Sequence, residues 1–195
     1  MAIPFCESWD FADGCPPDLV GAGDMNRDDA FHGCNNGRVR VVAKNTLDHS
    51  VTLSTKTPSQ PYRAHVAATA TLAEWSGNKG RDVIALLGQS GTLAVIRAES
   101  ATTSLIYSFC VGPDTNALVC VGATVSAPKG TPHRLAIDVA DGGRVAFSFD
   151  CKEVASTSAQ IQLTTQSTLK LRFGDVDGDA LDGQLDDVII ALPLL

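Results

Sequence analysis

The sequence predicts an all-β protein, a two-sheet antiparallel β-sandwich with very little helix. Three observations carry that prediction. Short apolar–polar alternating runs rich in Val, Ile and Thr follow one another along most of the chain, the period-two pattern of half-buried strands. Gly, Pro, Asn and Asp interrupt these runs at spacings of about ten residues, as in sandwiches and barrels. No window of about eleven or more residues holds the roughly 3.6-residue period of an amphipathic helix. With 195 residues, 44% of them apolar, the chain can bury one sizeable two-layer core, so residues 1–195 are expected to form a single domain.

Taken in order, Phe5-Cys-Glu-Ser-Trp-Asp-Phe11 reads as a first strand. Residues 12–37 are dense in Gly, Asp, Asn and Pro and hold Cys15 and Cys34, which suits an ordered, disulfide-pinned loop region. Strands follow at Arg38–Ala43, Ser50–Ser54 and Tyr62–Leu72. Val66 to Trp75 is rich in Ala, but its Thr residues and alternation favour a strand. Arg81–Leu87 and Thr92–Arg97 flank Gly88-Gln-Ser-Gly91, whose two glycines supply the positive backbone angles of a hairpin turn. Ser104–Val111 and Ala117–Val121 surround the turn signal Gly112-Pro-Asp-Thr-Asn116. The last third holds His133–Val139, Arg144–Asp150, Leu169–Gly174 and Gln184–Ile190.

That last third resembles the C-terminal half of a laminin-G-like or concanavalin A-like jelly roll. The shared text is a strand opening with His (His133), a strand ending in an Asp turn (Asp150), a strand ending in Gly (Gly174), and a closing Gly-x-Leu-Asp-Asp-Val strand (Gly183 to Val188). The resemblance is firm over Thr131 to Ala191, looser over Arg38 to Val125 and weak before that. It implies that the first strand lies beside the closing strand, with Phe5–Phe11 near Leu185–Leu192. It also implies a packing or hydrogen-bonding role for His133.

Net charge and cysteines narrow the setting. A charge of −7 repels a nucleic-acid backbone or an anionic membrane. No apolar run reaches the roughly 20 residues of a membrane helix, so no membrane insertion is expected. The six cysteines form no Cys-x-x-Cys pair, which suits disulfides better than zinc. The strands around 112–116 would bring Cys110 against Cys120. Cys15 with Cys34 and Cys6 with Cys151 is one arrangement of the rest, and six free buried thiols are the alternative. Disulfides imply an extracellular, cell-surface or periplasmic location. Met1-Ala2 then reads as a start placed after a removed signal, with the domain belonging to a larger secreted or lipid-anchored polypeptide.

The sandwich that this resemblance implies also hosts glycoside hydrolases and polysaccharide lyases, whose motifs are specific. Cleavage of a glycosidic bond with retention needs two carboxylates about 5 to 5.5 Å apart. Laminarinase-like members supply them as Glu-x-Asp-x-x-Glu. Here Glu7, Glu74, Glu99 and Glu153 are isolated in sequence. The lyases' Gln-x-His is also missing. Ser90 lies in a turn between strands, not in a nucleophile elbow. His32, His49, His65 and His133 have no metal-ligand spacing. No catalytic residue is assigned, and the chain is expected not to be an enzyme.

Two constellations remain. Asp175, Asp177, Asp179, Asp182 and Asp186 form an acidic turn whose carboxylates could supply part of the about six to eight oxygens calcium takes. Ala180 stands where an EF-hand needs its sixth-place glycine, and Asp186 where it needs a glutamate, so the loop is not an EF-hand. A solvated turn is the competing explanation. Trp75, Asn78, Arg81 and Asp82 could form a sugar platform, the indole stacking on a ring while the polar groups bond its hydroxyls. Trp75 closing the core edge is the alternative, and an aromatic content of 6% is lean for a lectin. The resulting expectation is a noncatalytic recognition module that binds a glycan or an extracellular protein through rim loops, with Ca2+ as candidate cofactor. The alternatives are a structural or adhesive domain and a divergent sandwich glycosidase. If the acidic turn binds calcium, Asp177→Ala should leave the fold intact and lower the melting temperature only when calcium is present. An equal loss in chelator would mark a purely structural turn.

Overall fold

The computed structural model describes the backbone at 5–9, 25–27, 31–35, 38–41, 47–52, 64–73, 80–88, 91–112, 118–140, 143–158, 161, 168–173 and 183–192, and side chains mainly between 64 and 158. Sixteen strands lie among the described residues: β1 (Phe5–Trp9), β2 (Met25–Arg27), β3 (Phe31–Asn35), β4 (Arg38–Val41), β5 (Leu47–Thr52), β6 (Ala64–Leu72), β7 (Arg81–Gly88), β8 (Gly91–Ser100), β9 (Ser104–Val111), β10 (Val119–Cys120), β11 (Val125–Pro128), β12 (Pro132–Val139), β13 (Val145–Phe149), β14 (Lys152–Thr157), β15 (Thr168–Phe173) and β16 (Gly183–Leu192). They form two antiparallel sheets. The first runs β14-β13-β12-β6-β16-β4-β3, with β1 also paired to β16, and the second runs β10-β9-β8-β7-β15-β5-β2, with β11 paired to β9. The fold is an all-β sandwich.

Its central strands show why the alternation was readable. In β6, Ala64, Val66, Ala68, Ala70 and Leu72 enter the shared core, while His65, Thr69 and Thr71 are only half-buried. Leu135, Ile137 and Val139 of β12 do the same, as do Val145, Phe147 and Phe149 of β13. Ile84, Leu86, Ile96, Leu105, Tyr107 and Phe109 meet them from the second sheet. Phe109 and Phe147 touch across the two layers with centroids 5.6 Å apart. Fully burying each such side chain contributes about 1.5–3 kcal/mol. A smaller cluster of Ala85, Val95 and Cys110 occupies the opposite face of the second sheet.

Turns behave as their residues demand. Gly88 pairs with Gly91, closing β7 onto β8 through a two-residue loop. Cys110 lies opposite Cys120 in the β9–β10 register, and the two are joined by a disulfide. Phe149 pairs with Lys152, leaving Asp150 and Cys151 as the loop between β13 and β14, with φ of 48° and 64°. That double left-handed geometry belongs to the tight hairpin turn whose twist matches its strands. The first strand does lie against the closing one, with Cys6 level with Ala191 and Trp9 with Val188.

Three expectations are corrected. Residues 12–37 are not all loop, because β2 and β3 add short edge strands to the two sheets. Short edges tolerate the Gly- and Asn-rich text that a central strand would not. Strands β11 and β14 also went unread, since Val125-Ser-Ala-Pro128 is short and Lys152-Glu-Val-Ala-Ser-Thr157 contains a bulge opposite Phe147/Ser148. Cys151 is free and exposed, so it does not pair with Cys6. Strands β16, β6 and β12 separate β1 from β13, and inter-strand steps of about 4.8 Å put those two strands roughly 19 Å apart. A disulfide needs Cα atoms within about 7 Å. The Cys15–Cys34 pairing lies outside the described residues.

Two glycines separate backbone conformation from packing. Gly122 (φ 72°) would place a Cβ 2.7 Å from Ala155 Cβ, whereas Gly130 (φ 71°) has open space. Gly130→Ala is expected to cost about 1 kcal/mol for positive φ alone. Gly122→Ala should cost about 2–4 kcal/mol because overpacking adds to it. Urea unfolding of both variants measures the difference, and equal losses would contradict the close approach.

Candidate functional site

Pleating that sends Val66, Leu135 and Phe147 inward sends the neighbouring residues of the first sheet outward. The register aligns them in rows across β6, β12 and β13. His65 lies opposite Asp138, which lies opposite Ala146; Ala67 lies opposite Ala136, which lies opposite Ser148; Thr69 lies opposite Arg134. The middle row places two methyl groups between rows of larger polar side chains. A cleft of about 250 Å³ results, lined by His65, Ala67, Arg134, Ala136, Asp138, Ser148 and Cys151.

The polar walls are cross-braced. His65 Nδ1 and Asp138 Oδ1 are 2.5 Å apart, with side-chain exposures of 39% and 43%. A carboxylate at that nitrogen selects the Nδ1–H tautomer and leaves Nε2 for a ligand. Arg134 Nη1 donates to Thr69 Oγ1 at 3.4 Å. At the adjoining edge Arg144 Nη2 bonds Glu153 Oε1 at 2.7 Å and Ser156 Oγ at 3.0 Å. These exposed pairs add little stability. They do hold side chains in set positions over a floor made of alanine.

One end of the cleft is held from inside the sandwich. Asp150 accepts from His133 Nδ1 at 2.9 Å and from the Arg134 backbone N–H at 2.9 Å, and its own N–H donates to the Arg134 carbonyl at 2.7 Å. These bonds fix the left-handed turn that carries Cys151 to the cleft. His133 packs on Phe149 and edge-on to Tyr107, with centroids 4.7 Å and 6.3 Å away. Burial, with the Asp150 charge adding, raises the Tyr107 phenol well above its usual range.

The sequence-predicted sites fare unevenly. Trp75, Asn78, Asp175, Asp177, Asp179 and Asp182 lie outside the described residues. Asp186 is on β16 opposite Thr69. Arg81 is 2% exposed, and Asp82 accepts from Arg97 Nε at 2.5 Å with 18% exposure. Burial of Arg81 in a core-facing position opposite Ala98 removes it from a sugar platform at that turn. Among the described residues no group of three or more His, Cys, Asp or Glu side chains converges as a metal site. Sequence reasoning missed the His65–Asp138 pair, which is 73 residues apart in the chain. Only the β6–β12 register brings the two together.

No family model matches the chain, and no curated protein matches its sequence. Solved structures do match its shape. An alginate lyase from Pseudomonas aeruginosa aligns over 87% of this chain and 88% of its own, with TM-score 0.60 and 13% identity. An endo-1,3-beta-glucanase from Streptomyces sioyaensis aligns over 98% and 96%, with TM-score 0.61 and 10% identity. The binding domain of botulinum neurotoxin serotype C1 aligns over 95% of this chain and 44% of its own, with TM-score 0.54 and 9% identity. The chain shares a jelly-roll-like sandwich with all three. At such identities the likeness concerns the fold, which serves carbohydrate-acting enzymes and binding domains alike.

Tyr107 yields a prediction with a definite sign. Below about pH 10 its phenol is neutral in the folded and the unfolded chain. Above that, the unfolded phenol ionises while the folded one stays protonated. Stability therefore falls as pH rises, by up to about 1.4 kcal/mol per pH unit from this group. Tyr107→Phe should remove that part of the alkaline slope. Urea titrations at several pH values above about 10 measure it, and an unchanged slope would contradict the burial of the phenol.

Proposed function

We propose that this chain is a noncatalytic extracellular recognition module of the laminin-G-like kind, whose ligand is a glycan lying across the first sheet rather than against the Trp75 turn. The observation that supports this reading is the alanine-floored cleft. Small side chains at Ala67 and Ala136 let a flat ring approach the sheet, and polar groups on both sides supply donors and acceptors. His65 and Asp138 offer a nitrogen and carboxylate oxygens to hydroxyls. Arg134 offers a planar cation suited to a carboxylate-bearing sugar. The fold's use by an alginate lyase and a beta-glucanase makes polysaccharides the first ligands to try. Calcium at the Asp175 to Asp186 turn keeps its place in the proposal on sequence grounds.

One observation favours a second reading. A His–Asp pair 2.5 Å apart in a cleft has the arrangement of an oriented general base, the group a glycan-processing site would need.

A glycan array that includes uronate polymers, run with wild type and Ala136→Trp, tests the proposal. Expected is binding by wild type and at least a tenfold loss in Ala136→Trp, with circular dichroism confirming that the variant is folded, since Ala136 is buried and the indole must displace the cleft's walls. No glycan binding, or binding indifferent to the indole, would overturn it in favour of a structural or adhesive domain. Polysaccharide turnover that disappears in His65→Ala would replace recognition with catalysis.

A further inference from the structure

Among the described residues, the Tyr107 hydroxyl and His133 Nε2 are buried with no hydrogen-bond partner. Tyr107 is 0% exposed and His133 8%. They come from opposite layers, β9 of the second sheet and β12 of the first. Their rings meet edge-on with centroids 6.3 Å apart at 71°, yet the two atoms do not bond each other. Each would bear its full desolvation cost alone, and folded proteins seldom leave such groups unsatisfied.

The donor–acceptor logic is directional. Asp150 Oδ2 accepts at His133 Nδ1, and in the Nδ1–H tautomer that this bond selects Nε2 is an acceptor. The phenol is held protonated by burial, so it is a donor. A molecule that accepts from one and donates to the other completes the path, and water does both. A cation is ill suited, because two groups fall short of the ligand number that metals require.

We infer that one ordered water molecule is bound between the Tyr107 hydroxyl and His133 Nε2, completing a hydrogen-bonded chain from β9 through His133 to Asp150. The chain crosses the sandwich and ends at the turn that carries Cys151 into the cleft. The second sheet thereby takes part in positioning a cleft built on the first. Buried waters of this type satisfy polar groups that side chains alone cannot reach.

A high-resolution crystal structure should show a water within hydrogen-bonding distance of both atoms. Direct contact between the hydroxyl and Nε2, or an empty space, would overturn the inference. In solution, oxygen-17 relaxation dispersion should count one fewer long-lived internal water in Tyr107→Phe than in wild type, with circular dichroism confirming that both are folded. An unchanged count overturns it. Alkylation of Cys151, followed by peptide mass mapping, should quicken at least threefold in Tyr107→Phe, and an unchanged rate would refute the link to the turn.

Discussion

Everything described here depends on the register between β6, β12 and β13. The eight-residue pairing of β6 with β12, from Pro132 opposite Thr71 to Val139 opposite Ala64, decides at once which side chains form the core and which form the cleft. A slip by one residue would exchange the two sets. Apolar burial opposes such a slip, since it would turn Val66, Leu135, Ile137 and Phe147 out to solvent. The placement of the cleft is thus a by-product of core packing.

The same dependence explains what the sequence disclosed. Alternation within a strand is local, so His133–Val139 and Ser104–Val111 could be read almost to the residue, and Gly88 with Gly91 marked their hairpin. Pairing between strands is not local. Nothing near His65 announces Asp138, and nothing near Arg81 announces that its guanidinium is buried. Cys110 and Cys120 were legible because a short turn joins them, while the partnership imagined for Cys151 failed on a distance that only the strand order reveals. The acidic run at 175–186 had the clearest chemical text, yet residues 175–182 lie outside the described residues, and composition alone does not encode which carboxylates converge.

The shared fold and the local chemistry point to different levels of description. A lyase, a glucanase and a toxin binding domain all superpose on this sandwich at identities near one in ten, so the scaffold leaves activity open. The outer face of the first sheet narrows it. There, charged groups are held by neighbours on adjacent strands and not by long flexible loops. Such groups lose little conformational freedom when a ligand arrives, which favours selectivity for shape over adaptability.

The alanines at 67 and 136 have a consequence for how this protein can change. Because a pleated strand sends neighbouring residues to opposite sides, substitutions at these two positions alter the cleft's depth without entering the volume filled by Val66 and Leu135. Both alanines are themselves buried, however, so a larger side chain at either must push the cleft's walls aside and changes stability along with ligand preference. A lineage, or a designer, could reshape the cleft with less strain through the part-exposed walls, at His65, Arg134 or Asp138, than through its floor.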